Sequence, residues 1–246
     1  MNKSLSKLTG GNLLLLILFA IALFVSASLL FLIQPMFAKM VLPTLGGTPA
    51  VWNTCMVFFQ AALLAGYGYA HATTQRLGVR RHAALHVGLL LLPLFVLPIR
   101  VPSGWAPPAQ QNPFPWLLAV LVVSVGLPFF MLSTIAPTLQ MWYVHTGHPH
   151  AKDPYFLYGA SNLGSMMALL AYPVLLEPNL PLADQSWVWT CGYGLLVVLA
   201  SGCAVMLWQS PAIAAQNSGG TVSPHSPNAS SATNNVAGLT MAQRAR

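Results

Sequence analysis

The first apolar run of the sequence, NLLLLILFAIALFVSASLLFLI at residues 12–33, contains no ionisable side chain. It is longer than the roughly 20 residues that a helix needs to cross the hydrocarbon core of a bilayer. A secretory signal peptide would have an apolar core of only about 7 to 15 residues, followed by a small-residue cleavage site. Here the apolar run continues to Gln34. We therefore expect an uncleaved membrane anchor.

Five more apolar segments of bilayer-crossing length follow in the sequence. The whole chain contains ten Lys or Arg and three Asp or Glu, whereas about a quarter of the residues of a soluble domain are charged. Because lipid offers the backbone no hydrogen-bond partners, each crossing segment must be a helix. The sequence therefore predicts an all-α integral membrane protein, in which residues 1–208 form a six-transmembrane-helix bundle with helices at about 12–34, 50–71, 82–99, 116–136, 155–176 and 187–208.

The segment LPTLGGTPAVWN separates the first two predicted helices. Gly46 and Gly47 are expected to end one helix, because glycine readily adopts backbone conformations that stop a helix. Thr48 is a suitable N-cap for the next helix, and Pro49 suits its first turn. The pattern predicts a helix that restarts after a short break.

Basic residues lie mainly on one side of the predicted bundle: Lys3, Lys7, Arg76, Arg80, Arg81, Lys152, Arg244 and Arg246. The opposite side receives only Lys39 and Arg100, together with Glu177 and Asp184. The positive-inside rule then places both termini in the cytoplasm, and we expect the protein in a bacterial inner membrane. The net charge of +7 is dispersed along the chain, which favours membrane orientation over binding to nucleic acid.

Residues 209–246 differ in composition from the rest of the chain. They are rich in Ser, Asn, Thr, Pro, Gly and Ala and contain almost no large apolar side chain. Such a segment cannot bury enough apolar surface to offset the entropy lost on ordering. We predict a disordered polar tail and no second globular domain in this sequence.

Polar side chains fall on one face of two predicted helices. On the fifth helix, one face opposite Leu and Met residues carries Tyr158, Ser161, Asn162, Ser165 and Tyr172. On the second helix, polar residues recur every seven positions and so stay on one side. We expect both faces to point into the bundle, where they would form a tentative substrate-binding site from Gln34, Asn53, Gln60, Tyr67, Tyr158, Ser161, Asn162 and Ser165. Alternatively, these groups only hydrogen-bond between helices, as is common in membrane proteins.

Prolines interrupt several predicted helices, namely Pro35, Pro128, Pro137 and Pro173, and each favours a kink. Broken helices are common at transport sites, although they also occur in membrane helices without such a role. No Asp, Glu, Lys or Arg lies at mid-depth, which argues against a carboxylate-driven proton pump. Lys39 and Glu177 lie near the outer ends of their helices, where they could form a pair or anchor at the interface.

Cysteine and histidine patterns give little sign of a metal or a cofactor. The cysteines Cys55, Cys191 and Cys203 are isolated in apolar segments. Two sets of histidines stand out, His82 with His86 and the motif HTGHPH at 145–150. The first pair has a spacing compatible with a metal or haem, but neither set has a recognisable group of further ligands. We predict no catalytic residues, no metal site and no cofactor.

Three stretches in order, at 31–71, 124–143 and 153–178, resemble the membrane part of the membrane-embedded spermidine synthase-like proteins. In that bacterial family, an MFS-like bundle precedes a polyamine aminopropyltransferase domain. The resemblance implies half of an MFS transporter bundle over nearly all of residues 13–208. The loop HATTQRLGVRRHAAL also looks like the cytoplasmic loop between helices two and three of major facilitator transporters, with Gln75 where an acidic residue is usual.

The resemblance implies a link to polyamine metabolism, but the sequence contains no glycine-rich nucleotide loop or acidic diamine site of the synthase type. We therefore expect no aminopropyltransferase activity from this chain alone. The preferred hypothesis is a small-molecule transport or binding module for a small polar or cationic substrate, working with a synthase supplied elsewhere. Half a bundle implies a partner, either a second copy of the chain or a separate synthase-domain protein. The alternative is a non-transporting scaffold or a truncated remnant.

Overall fold

The computed structural model describes residues 10–107, 112–148 and 155–210, with side chains from residue 13 onward. Over this part of the chain the structure is helical and contains no strand. The helices are α1 (Gly10–Leu45), α2 (Pro49–Leu90), α3 (Phe114–Leu121), α4 (Leu127–Val144), α5 (Tyr155–Ala171), α6 (Glu177–Asn179) and α7 (Leu182–Trp208). Residues 211–246, which carry most of the predicted disordered tail, lie outside the described residues.

Within the residues that the structure describes, five helical stretches are long and apolar enough to cross a bilayer, which identifies the chain as a membrane protein by length and composition. They are Leu13–Leu45, Pro49–Phe95, Phe114–Val144, Tyr155–Asn179 and Leu182–Trp208. The third of these stretches joins α3 to α4 through a π-helical segment, and the fourth joins α5 to α6 in the same way.

The break between α1 and α2 follows the prediction. Gly46 has a φ of 72°, a left-handed conformation that glycine adopts without steric cost. The hydroxyl of Thr48 accepts a hydrogen bond from the backbone N–H of Val51, and Pro49 begins α2. The cap and the proline therefore fix where the second helix starts.

The second helix extends beyond the predicted end at residue 71. The hydroxyls of Thr73 and Thr74 donate to the carbonyl oxygens of Tyr69 and Ala70, so these polar residues continue the helix. Helical geometry breaks only at Gly78, which has a φ of 70° and a ψ of 160°.

The chain reverses at Gly78. Tyr69 and His86 are 17 positions apart, which corresponds to about 25 Å along a straight helix. Their ring centroids are nevertheless only 6.2 Å apart. The parts of α2 before and after Gly78 therefore lie side by side. The predicted helix at 82–99 also ends early, because α2 stops at Leu90 and a short 3₁₀ helix covers Leu92–Phe95.

The core lies along α1, α4 and α7. α5 packs along α1, while α2 packs along α4, and α7 closes the bundle against α1. The side chains of α4 are the most completely enclosed, and they include Phe129, Leu132, Ile135, Trp142 and Tyr143. α1 and α4 therefore occupy the centre, and α2 and α5 lie at its sides.

Two of the predicted kinks coincide with the π-helical segments. Val122–Gly126 lies just before Pro128, and Tyr172–Leu176 contains Pro173. A proline lacks the N–H that the regular helix would use, and a wider turn accommodates this loss. Pro35 and Pro137, by contrast, lie within helices that continue through them.

Candidate functional site

The expectation that the polar faces of the second and fifth helices meet in the bundle interior is wrong for the single chain. Asn53, Gln60 and Tyr67 are exposed on a side of α2 that differs from its buried face. Tyr158 and Asn162 are exposed on α5. The physical reason is that α1 and α4 fill the centre, so α2 and α5 have no extended contact with each other.

The remaining predicted site residues bond locally or are half-buried. Gln34 donates to the carbonyl oxygen of Leu30 in its own helix, at 3.3 Å. Ser165 donates to the carbonyl oxygen of Asn162 at 2.9 Å, and Ser161 is half-buried. Gln34 and Ser165 thus form hydrogen bonds within their own helices without a ligand. The structure therefore does not bring the eight predicted residues together into one site.

A groove lies instead between the end of α1, the start of α2 and the end of α5. It encloses a volume of about 500 Å³, within the range of small-molecule sites. One wall comes from Leu42 on α1, a second from Trp52 and Cys55 on α2, and a third from Tyr172 and Pro173. We call this cavity the outer groove.

An ion pair lies at the rim of the outer groove. Lys39 Nζ donates to Glu177 Oε1, and both side chains are 37% exposed. Pairing and interfacial anchoring were the two roles expected for these residues, and the structure shows the pair. Pro173 lies in the π-helical segment that leads directly into Glu177, so the local break in the helix determines where the carboxylate lies.

Tyr172 separates the outer groove from a second cavity, which we call the inner pocket. The tyrosine lines both spaces. It is 4% exposed, and its hydroxyl has no hydrogen-bond partner. A buried hydroxyl without a partner is costly, and a bound polar group would satisfy it.

The inner pocket encloses about 150 Å³ between α1, α7 and the end of α5. Its walls are apolar except at Tyr172, Trp189 and Gln185. Trp189 already donates its indole N–H to the carbonyl oxygen of Leu29 at 2.9 Å. Gln185 is 3% exposed; its amide nitrogen donates to the carbonyl oxygen of Leu180, but its Oε1 has no partner. The pocket therefore offers one unused acceptor and one unused hydroxyl.

Sequence reasoning found only part of this site. The helical wheel placed Tyr172 on the polar face of α5, and Lys39 and Glu177 were recognised as a possible pair. Gln185 was missed because it precedes the predicted start of the sixth helix at 187, whereas α7 begins at Leu182. No local pattern in the sequence shows that Gln185 lies near Tyr172.

Neither the cysteines nor the other titratable groups suggest a metal centre. In residues 10–107, 112–148 and 155–210, no group of three or more His, Cys, Asp or Glu side chains lies close enough to hold a metal ion. The outer groove contains one carboxylate and the buried thiol of Cys55. This donor set fits a hydrogen-bonding organic ligand better than a metal.

Comparison with known proteins assigns no relative to the chain. The sequence matches no protein-family model and no curated protein at a significant level, and its fold matches no solved structure at that level.

Proposed function

We propose that the protein is a membrane-embedded module that binds, and in a complete assembly transports, a small amine through the outer groove and inner pocket. The observation that carries the proposal is the pair of adjoining cavities with an unused acceptor, Gln185 Oε1, at the inner end. A ligand that satisfies this oxygen must donate a hydrogen bond there.

The chemistry of both cavities favours an amine. At the inner end, an amino group can donate to Gln185 and interact with the hydroxyl of Tyr172. At the outer end, Glu177 can accept a second ammonium group that replaces Lys39. The aromatic rings of Trp52 and Tyr172 add surfaces that attract cations. A movement of the Tyr172 side chain would join the two cavities, and a chain of methylene groups with an amine at each end would then lie against their apolar walls.

The resemblance to the membrane-embedded spermidine synthase-like proteins supports the same class of ligand. We propose a linear polyamine such as putrescine or spermidine as the substrate, with the aminopropyltransferase activity supplied by another chain. The non-transporting scaffold is the competing function, and it predicts that the two cavities bind no amine.

We propose six membrane crossings rather than five. A straight helix of the length of α2, 42 residues, would extend about 63 Å, about twice the ~30 Å of a bilayer core. The reversal at Gly78 divides it into antiparallel parts of 29 and 12 residues, and the second part approaches crossing length only together with the 3₁₀ helix Leu92–Phe95 that continues it. An even number of crossings agrees with the positive-inside assignment of both termini to the cytoplasm of a bacterial inner membrane. Under this topology, the outer groove opens to the side opposite the termini.

The arrangement of six crossings is what half of an MFS-like bundle would have. Exposed polar groups on α2 and α5, such as Gln60 and Asn162, support a partner that covers these faces, because lipid does not satisfy hydrogen bonds. We propose a second copy of the chain as that partner. A separate synthase-domain protein is the alternative partner.

The proposal is tested by uptake of radiolabelled putrescine and spermidine in a deletion strain. The wild-type gene should restore uptake, whereas Glu177→Gln and Tyr172→Phe should each reduce it. Tyr158→Phe makes the same chemical change on the exposed face of α5, so an equal loss of uptake in this variant would assign the effect to the partner contact and not to the cavities. Equal uptake with and without the gene, for protein that is folded and present in the membrane, would support the scaffold.

A further inference from the structure

The inner pocket differs from the outer groove in charge. The outer groove has the carboxylate of Glu177 and the ammonium group of Lys39 at its rim. Of the described residues that line the inner pocket, Tyr172 is the only one with a titratable side chain, and none has a carboxylate or an ammonium group. Asp184 precedes Gln185 in the sequence, but it is exposed and does not line the pocket. A charged group in the inner pocket would therefore have no counter-ion there.

The amide of Gln185 is fixed in orientation by its own hydrogen bond. Its nitrogen donates to the carbonyl oxygen of Leu180 at 2.8 Å, and a flipped amide would place two acceptor oxygens against each other. The atom left without a partner is therefore Oε1, which can only accept a hydrogen bond. The residue is 3% exposed, so bulk water does not satisfy this oxygen.

The hydroxyl of Tyr172 supplies the complementary function. It lines the same pocket, it is buried, and it has no partner, so its hydrogen is available to an acceptor. The other polar side chain of the pocket, Trp189, already donates to the carbonyl oxygen of Leu29. A ligand end group that satisfies the pocket must donate to Gln185 Oε1 and accept from the hydroxyl of Tyr172.

An ammonium group meets only half of this requirement. It has N–H donors for Gln185 but no lone pair that could accept from Tyr172. Its charge would also lose the hydration of bulk water without gaining a carboxylate, which is costly. The ring face of Trp189 attracts a cation much more weakly than water hydrates it. An uncharged amino group or a hydroxyl has both a donor and a lone pair, and it carries no charge.

We propose that the inner pocket binds an uncharged end group, so that the site takes a linear ligand as a monocation whose ammonium group stays at Glu177. This inference rests on the proposed function and specifies the substrate class further. A diamine enters after one N–H bond of its inner ammonium group breaks; the electron pair stays on nitrogen, and the proton passes to a water molecule or a buffer base. An amino alcohol fits the same two cavities without losing a proton.

This assignment has a consequence for the dependence of affinity on pH. An alkylammonium group in water resembles the lysine side chain, whose pKa is about 10.4. In the neutral range the uncharged fraction of the inner amine is small, and it rises about tenfold for each pH unit. The affinity for a diamine should rise by the same factor. The affinity for an amino alcohol should not follow this rise, and at neutral pH it should exceed that for the diamine.

The proposal is tested by calorimetric titration of the full-length protein in lipid nanodiscs, across the neutral pH range and in buffers of different ionisation enthalpy. The ligands are putrescine, the aminobutanol with its hydroxyl at the far end, butylamine and a longer matched set. Putrescine should release about one proton on binding and gain about tenfold in affinity per pH unit. Aminobutanol should release none. Butylamine, which leaves Gln185 and Tyr172 unpaired, should bind about tenfold more weakly than aminobutanol.

The possible failures of this experiment are distinguishable. Putrescine that binds without releasing a proton, with an affinity independent of pH and above that of aminobutanol, would overturn the uncharged end group and leave amine binding intact. If neither putrescine nor the longer diamine binds at any pH, the proposed function fails and this inference fails with it. Because aminobutanol experiences the same titration of the protein as putrescine, a change of affinity common to both ligands belongs to the protein.

Variants of the pocket locate the end group. Gln185→Leu removes the acceptor, so the advantage of aminobutanol over butylamine should fall to about equal affinity. The affinity for butylamine itself reports whether the outer groove is still folded. Tyr172→Phe removes the donor, and it should reduce the same advantage if Gln185→Leu does not fold. Gln75→Leu changes an exposed glutamine of α2 and is the control, with the advantage unaltered. An advantage that persists in folded Gln185→Leu and Tyr172→Phe would contradict the assignment.

Discussion

The α1–α5 and α2–α4 contacts both depend on a glycine, but they differ in what the glycine meets. At Gly164 of α5, an added methyl group would overlap the backbone carbonyl of Phe24 on α1. At Gly66 of α2, it would overlap the side chain of Ser133 on α4. A backbone cannot move aside without shifting a helix, whereas the Ser133 hydroxyl can change rotamer, which leaves the Ser133 Cβ at 2.8 Å as the remaining close contact. The comparison indicates a rigid α1–α5 contact next to the outer groove and a more adaptable α2–α4 contact.

Polar chemistry follows the same division. In the α1–α5 contact, Ser28 donates to carbonyl oxygens of its own helix and of Gly164, so the hydroxyl is satisfied. In the α2–α4 contact, His82, His86 and Thr138 have buried atoms without partners. A closely packed contact whose polar groups are all hydrogen-bonded fixes the relative position of its two helices. A contact with buried polar groups that lack partners is held less firmly.

The largest expected effect is that of Gly164→Ala. Alanine normally stabilises a helix by about 1 kcal/mol relative to glycine, but here the overlap with the α1 backbone should cost about 1 to 3 kcal/mol in net stability. Unfolding of the purified protein by denaturing detergent measures this change. Gly159→Ala, an exposed glycine on the same helix with open space around it, is the matched control and should not destabilise.

A smaller loss is expected for Gly66→Ala, because the overlapping atoms belong to a serine side chain. The Cβ of Ser133 would still lie 2.8 Å from the new methyl group. We therefore expect the free energy of unfolding to fall by about 1 kcal/mol, which is the lower end of the range for overpacked cores. The double variant Gly66→Ala/Ser133→Ala should recover part of the loss, and Gly68→Ala provides the control in open space. A loss as large as that of Gly164→Ala would remove the difference between the two contacts.

The ion pair at the rim should contribute still less to stability. Lys39 and Glu177 are each about a third exposed, and pairs of this kind are worth about 0 to 1 kcal/mol. Lys39→Met and Glu177→Gln should therefore unfold close to wild type, while Glu177→Gln weakens amine binding. A destabilisation by several kcal/mol would assign the pair a structural role and weaken its role in the site.

The smallest effect on the stability of the single chain is expected for Gln60→Leu and Asn162→Leu. Both side chains are exposed, and exposed substitutions usually change stability by less than about 0.5 kcal/mol. If a second copy of the chain covers these faces, the variants should shift the protein from dimer to monomer in mild detergent, as measured by light scattering. Wild-type protein that is strictly monomeric would contradict the proposed partner.

Sequence patterns predicted the helical class and the break at residues 46–49, because these depend on local chemistry. The ion pair of Lys39 with Glu177 was only one of two expected roles, because the contact joins residues 138 positions apart in the sequence. Hydropathy did not locate the C-terminal end of α2, since Thr73 and Thr74 extend the helix by bonding to their own backbone. Hydropathy measures suitability for lipid and not the position of a helix end.

The orientation of the polar faces could not be predicted for a different reason. A helical wheel shows that Asn162 and Gln60 lie on polar faces, but not whether such a face points to the bundle centre or to a partner. The proximity of Tyr172 and Gln185 also depends on how two separate helices pack. Such tertiary relations have no local signature in one sequence.

Protection of a groove cysteine by spermidine tests the central claim most directly. In a background with Cys55, Cys191 and Cys203 replaced by alanine, Leu42→Cys places a thiol on the wall of the outer groove, and Val57→Cys places one on the exposed surface of α2. Labelling by a small thiol reagent in nanodiscs is followed with and without spermidine. We expect spermidine to slow labelling at position 42 and to leave position 57 unchanged. Equal rates at position 42 with and without saturating spermidine would contradict the assignment of the outer groove as an amine-binding site.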